Sequence, residues 1–158
     1  MNLSYLKETL LLRAFGLFKI PLIFFVGPSV VKLNEKECEV VIPLNRRTRN
    51  HLNSMYFGTL AIGADCAGGL IAMEAIKKSG KKISLVFKDF KADFLKRPEA
   101  DVHFICKDGA KIQKQIKQVL SSGERISQII HIIATTPKIS GDEAVAKFEL
   151  NLSLKLQK

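Results

Sequence analysis

Asp65 stands inside a run that otherwise reads as a buried helix, Gly58 to Ile76 (GTLAIGADCAGGLIAMEAI), and it is the only charge there before Glu74. An ionised carboxylate removed from water is costly unless it is paired or hydrogen-bonded, so such a residue needs a reason. A partly buried setting raises its pKa, which suits it to act as a base or nucleophile. The competing reading makes Asp65 a structural carboxylate that accepts hydrogen bonds from a neighbouring strand or a partner subunit. At helical spacings it shares a face with Gly58, Ala61, Ile62, Gly68, Gly69 and Ala72, nearly all of them small. Gly63, Gly68 and Gly69 each cost about 1 kcal/mol relative to Ala in a helix interior. Another backbone or a ligand is therefore expected to come close.

The remaining reactive side chains point to little else. His51 is a lone loop histidine, a type that more often holds structure than moves protons. Cys38, Cys66 and Cys106 are odd in number and far apart, with no CxxC or Cys/His cluster, so neither a disulfide framework nor a metal site is expected. The default setting is the reducing cytoplasm. The formal charge is +10, and between Lys77 and Arg125 thirteen Lys or Arg stand against six Asp or Glu. Such a face attracts anions: nucleic acid, anionic lipid or a phosphate-bearing small molecule. No helix-turn-helix or RNA-binding signature accompanies it, so nucleic acid is not the expected partner.

The elements that must position these residues follow from the periodicity. At 158 residues the chain fits one domain, 1–158, able to bury a core. The longest uncharged N-terminal run, Ile20 to Val31, is twelve residues with Pro21, Gly27 and Pro28, too short to span a bilayer. Leu3 to Phe18, within an N-terminal helical segment 1–20, reads as an amphipathic helix that caps the core or touches a membrane surface. Ser29 to Leu33 and Cys38 to Pro43 alternate as a first strand pair, Arg46 to Asn53 is a basic loop, and a small-residue helix spans 59–78. From Lys82 the period becomes two. Ile83, Leu85 and Phe87 are followed out of phase by Phe90, Ala92 and Phe94, which predicts a bulge near Lys88 and Asp89. Val102 to Cys106, a surface helix between Gly109 and Gly123, Arg125 to Thr135 and Ala144 to Leu156 complete an α+β pattern of about six strands around one apolar helix.

Two stretches resemble a known family. Asn50-His51-Leu52-Asn53-Ser54-Met55-Tyr56-Phe57-Gly58, followed by the helix bearing Asp65, resembles the active-site stretch of hotdog-fold acyl-CoA thioesterases of the phenylacetate-pathway (PaaI-like) type. That family carries an Asn, a His-Gly-Gly six residues on, and a helical carboxylate nine residues after the His. Asn50, Gly58 and Asp65 take the Asn, second Gly and carboxylate positions. Phe94-Leu95-Lys96-Arg97-Pro98 followed by Ala100-Asp101 is similar to the family's strand-end pattern. The nearest likeness is to an uncharacterised, thioesterase-like branch.

The resemblance implies a hotdog fold, in which a curved antiparallel sheet wraps the Gly/Ala-rich helix. It also implies hydrolysis of an acyl-CoA or related acyl thioester, with coenzyme A as part of the substrate and no separate cofactor. Asp65 would be the base or nucleophile, the Gly58 N–H would polarise the carbonyl, and Asn50 would orient water or the carbonyl. Lys96 and Arg97 would hold the phosphates of coenzyme A, while Phe87, Phe90, Phe94, Phe24 and Phe25 would line an acyl tunnel or form core. The chain would act as a homodimer or homotetramer whose partner completes the pocket. Tyr56 and Phe57 replace the family's His and Gly and would lie against substrate. They also keep open an alternative, a non-catalytic hotdog protein that binds fatty acyl groups or acyl-CoA.

Overall fold

The computed structural model describes residues 3–157; Met1, Asn2 and Lys158, which the expected domain includes, lie outside the described residues. A short 3-10 turn leads into α1 (Leu6–Lys19), α2 (Pro21–Val26), β1 (Ser29–Leu33), β2 (Cys38–Ile42) and the long helix α3 (Phe57–Ser79). β3 (Ile83–Phe94), β4 (Val102–Cys106), α4 (Gly109–Ser122), β5 (Ile126–Thr135), α5 (Pro137–Ser140) and β6 (Ala144–Leu156) follow. All strand pairs are antiparallel, in the order β1-β2-β4-β5-β6-β3, so β1 and β3 are the edges.

Alternation decides what faces α3. Phe104, Ile130, Ile132, Phe148, Leu150 and Leu152 are all buried on the inner side of the sheet. Each such side chain contributes about 1.5–3 kcal/mol by leaving water, and the helix they cover is apolar enough to supply the other half of the core. The expected bulge is present: Phe87 pairs with Leu152 and Phe90 with Leu150, so β3 carries one extra residue there. That residue returns Phe90, Ala92 and Phe94 to the face already held by Ile83, Leu85 and Phe87. Cys38, Cys66 and Cys106 are free and buried.

Two expectations need correction, and one element adds to them. The central helix starts at Phe57, not at residue 59, because Tyr56 is extended at ψ 138° and its N–H is held by the Thr48 carbonyl at 2.9 Å. The expected N-terminal helix is present as α1, and a second helix, α2, follows it beyond the expected segment 1–20. Pro21 opens α2 at a first-turn position where its missing N–H costs nothing, and Gly27, at φ 65°, closes it. Finally, neither a backbone nor a ligand fills the space left by Gly63 and Gly68. A Cβ on Gly63 would lie 2.3 Å from the Phe104 ring and one on Gly68 would lie 3.0 Å from Ile130, so these glycines admit core side chains.

The N-terminal pair is fastened to β1. Thr9 Oγ1 accepts the Val30 N–H at 2.9 Å, and Arg13 donates to the Pro28 carbonyl at 2.9 Å and to Ser29 Oγ at 2.8 Å. Thr9, Leu12 and Gly16 are the buried face of α1.

Candidate active site

Helix α3 packs chiefly on β2, β4 and β5 and only lightly on β3. The inner face of β3 is consequently open. Phe90 and Phe94 point toward the helix side yet remain 42% and 52% exposed. Opposite them runs a stripe of α3 at four-residue spacing: Phe57, Ala61, Asp65 and Gly69. The Phe57 and Phe94 rings meet edge-on at 6.4 Å, and a Cβ on Gly69 would sit 3.9 Å from Phe87. Asp65 lies between these two contacts, so it faces an apolar trough walled by the phenylalanines of β3.

Its electrostatic state follows from that placement. Asp65 is half-buried, and its carboxylate has no hydrogen-bond or ionic partner among the described residues. Burial alone pushes its pKa above the ordinary 3.8. The structural reading makes Asp65 an acceptor for a neighbouring strand or a partner subunit; no strand donor reaches it among the described residues.

The N-terminus of α3 opens onto the same stripe. Tyr56 offers no side-chain cap, and the first intrahelical bond runs from Leu60 N to the Tyr56 carbonyl at 3.1 Å. The N–H groups of Phe57, Gly58 and Thr59 are thus without carbonyl partners among the described residues, at the positive end of a 23-residue helix. The Tyr56 ring lies over Gly58: a Cβ there would approach the ring to 2.5 Å. Seven residues separate Gly58 from Asp65, which at 1.5 Å per residue is about 10 Å along the axis. One chain therefore cannot bring both to a single carbonyl.

The other expected residues are engaged in positioning. Asn50 donates to Ser54 Oγ at 3.1 Å and its side-chain oxygen accepts the N–H groups of Leu52 at 2.8 Å and Ser54 at 3.2 Å, which leaves the amide occupied within its own loop. His51 is exposed at the tip of that loop. Arg97 donates to the Leu52 carbonyl at 3.3 Å, and Lys96 pairs with Glu143 at 2.5 Å, both side chains exposed. Phe24 and Phe25, offered as tunnel or core, are exposed on α2. Sequence reasoning missed Thr48. It is fully buried, donates to the Pro43 carbonyl at 2.7 Å, accepts the Asn45 N–H at 2.9 Å, and its own carbonyl holds Tyr56 at the start of α3. The Asn-x-x-Thr spacing of Asn45 and Thr48 was the available signal.

Comparison with solved structures places this arrangement. A protein of unknown function from Pseudomonas aeruginosa, described as a probable thioesterase, superposes with TM-score 0.76 at 20% identity, covering 94% of this chain and 96% of that one. A protein of unknown function from Chlorobaculum tepidum reaches 0.81 at 13% identity, covering 96% of each. A thioesterase from Haemophilus influenzae reaches 0.64 at 15% identity, covering 85% of this chain and 82% of that one. No curated protein matches the sequence. At these identities the likenesses establish the fold, which is the hotdog fold. Residues 8–149 match the family described as "Domain of unknown function (DUF4442)", and the chain belongs to that family.

Proposed function

We propose that the protein hydrolyses acyl thioesters, acyl-CoA in the first place, at a site shared by two copies. The observation that carries this reading is the unpartnered, half-buried Asp65 facing an open apolar trough. Names carried by structural neighbours, a probable thioesterase and a thioesterase, favour the same chemistry. The acyl chain lies along Phe87, Phe90 and Phe94, with Phe57 and Tyr56 against it. Asp65 takes a proton from water, the hydroxide attacks the carbonyl carbon, and the developing oxyanion accepts the Gly58 N–H of a second copy. The C–S bond then breaks, the thiolate takes the proton held by Asp65, and free coenzyme A departs with an acid that ionises to the carboxylate in water. Direct attack by Asp65, giving a mixed anhydride that water cleaves, uses the same groups. Asn50 acts through its loop, by fixing the approach to α3, while Lys96 and Arg97 face the coenzyme A phosphates.

The second copy enters across β3. This edge strand is twelve residues long, pairs among the described residues with β6 alone, and exposes Val86, Phe90 and Phe94. A long apolar edge in water invites strand pairing, and pairing there would roof the trough. One feature favours the non-catalytic reading: the Tyr56 ring over Gly58 obstructs the helix N-terminus that should receive the oxyanion. A panel of acyl-CoA substrates followed by thiol release, with Asp65→Asn alongside, separates the two. Turnover lost in the variant supports hydrolysis; tight acyl-CoA binding with no turnover in either protein supports the acyl-binding alternative.

A further inference from the structure

Helix α1 is apolar on two opposite sides. Thr9, Leu12 and Gly16 are buried, and at 100° per residue the line through Leu10, Leu17, Leu11 and Phe18 falls roughly half a turn away. That second face is in water: Phe18 is 79% exposed, and α2 adds Leu22 at 62% and Phe25 at 51%. Soluble proteins seldom leave so many large apolar groups together without a partner. Nor is the segment a loose end. A Cβ on Gly16 would lie 2.6 Å from the Phe24 nitrogen, so α1 and α2 meet in close contact, and Arg13 and Thr9 fasten α1 to the start of β1.

Charge decides what covers this face. Lys7 and Lys19 are exposed on α1, and the Arg47 guanidinium sits 5.8 Å over the Phe25 ring with Arg46 and Arg49 exposed beside it. Between residues 6 and 26 the sole acid is Glu8. In a two-fold contact between copies the same patch meets itself, so this basic rim would face its own image and repel. An anionic lipid surface takes both parts at once: cations at the headgroups, apolar side chains at the acyl boundary. We propose that α1 and α2 form a docking arm that seats the protein on anionic membranes. Leu11, Phe18, Leu22 and Phe25 enter the lipid, and Lys19, Arg46 and Arg47 lie at the headgroups. The basic loop continues through Thr48 to Tyr56, so a seated arm also brings the start of α3 to the membrane side. Nothing in this placement depends on the trough being catalytic.

Flotation of the full-length chain with vesicles of phosphatidylcholine alone, or with about a third phosphatidylserine, tests it. The wild type is expected to float with the anionic vesicles and not the neutral ones, and to lose binding several-fold between about 50 and 500 mM salt. The F18S/L22S variant should lose binding about tenfold or more with an unchanged melting temperature, since both side chains already lie in water. The K19A/R47A variant should weaken binding to anionic vesicles and flatten its salt dependence. A wild type that stays in solution with both vesicles, or F18S/L22S floating as well as wild type, overturns the proposal. So does F18S/L22S sedimenting as a smaller species while the wild type ignores vesicles, which would make the arm a contact between copies.

Discussion

The backbone N–H of Met55 donates to the carbonyl of Pro98 at 2.8 Å. With the Arg97 guanidinium on the Leu52 carbonyl, this bond joins the loop before α3 to the connection after β3. Two stretches that resemble one family in sequence are thus one structural unit, and the position of the helix N-terminus depends on both.

That unit separates the roles of two neighbouring cations. Lys96→Ala should raise KM for acyl-CoA about three- to tenfold and flatten its salt dependence, with kcat unchanged and short acyl thioesters lacking coenzyme A unaffected. Arg97→Ala should also lower kcat on both substrates, because it releases the Leu52 loop. Steady-state kinetics on the two substrate types provide the check. Equal loss on both substrates for Lys96→Ala would remove Lys96 from phosphate binding.

Asp65→Asn keeps the shape of the side chain and removes its charge. Turnover should fall about a hundredfold or more, the range for losing a positioned base. The folded pKa of Asp65 is raised, so its contribution to stability is complete below about 3.8 and is lost as pH rises through the higher folded value. At pH 7 the variant should therefore melt at the same or a higher temperature, and the difference should shrink toward acid pH. The wild-type rate should fall as pH drops through that raised value. A variant that melts earlier at pH 7 with an unchanged rate per folded molecule would make Asp65 structural.

About 10 Å of helix keeps Gly58 and Asp65 of one chain from meeting a single carbonyl, so the proposed reaction takes one from each of two copies. Asp65→Asn and Gly58→Pro should each be nearly inactive, the second because proline lacks the N–H and its ring displaces the Tyr56 ring that lies over this position. Unfolded and refolded together, they should recover about a quarter of wild-type activity, since about half the dimers are mixed and each mixed dimer holds one intact site. Sedimentation should give at least a dimer at micromolar concentration. No recovery from a verified mixture of dimers would confine the chemistry to one chain.

Two glycines of α3, Gly63 and Gly69, should respond oppositely to alanine. Gly63→Ala drives a Cβ into the Phe104 ring and should cost about 1–3 kcal/mol of stability. Gly69→Ala meets only an ordinary contact with Phe87 at 3.9 Å and should gain up to about 1 kcal/mol from helix propensity. Its methyl group would narrow the trough beside Asp65 and reduce turnover on bulky acyl groups. Thermal melts and a chain-length series separate the two effects.

The sheet was legible wherever the signal is local. The one-sided alternation of β6 and the phase slip at Lys88 and Asp89 each need only a few consecutive residues, and both appear as expected. Long-range partners were not legible. Gly63 and Gly68 announce missing side chains, but nothing nearby says that Phe104 and Ile130 fill the space. Helix α2 was not legible either: six residues are too few for a periodic signal, and the close packing of α2 on α1 holds it in place. At the candidate site, Asp65 stood out because a charge in an apolar run is costly wherever it points. Asn50 matched a family position, yet its turn chemistry with Leu52 and Ser54 claims the amide.

The three buried thiols make the protein its own gauge of opening. Burial pushes the pKa of Cys38 and Cys66 upward and that of Cys106 to about 11, and Cys38 and Cys106 sit opposite each other on β2 and β4. A disulfide reagent in the folded state therefore meets neither exposed sulfur nor thiolate, and labelling must wait for the sheet to part from α3. Labelling rates would track the population of open molecules without any introduced probe. In a thiol-release assay the same feature sets the background: a folded molecule contributes nothing to the signal, and a slow rise without substrate counts molecules that have come apart.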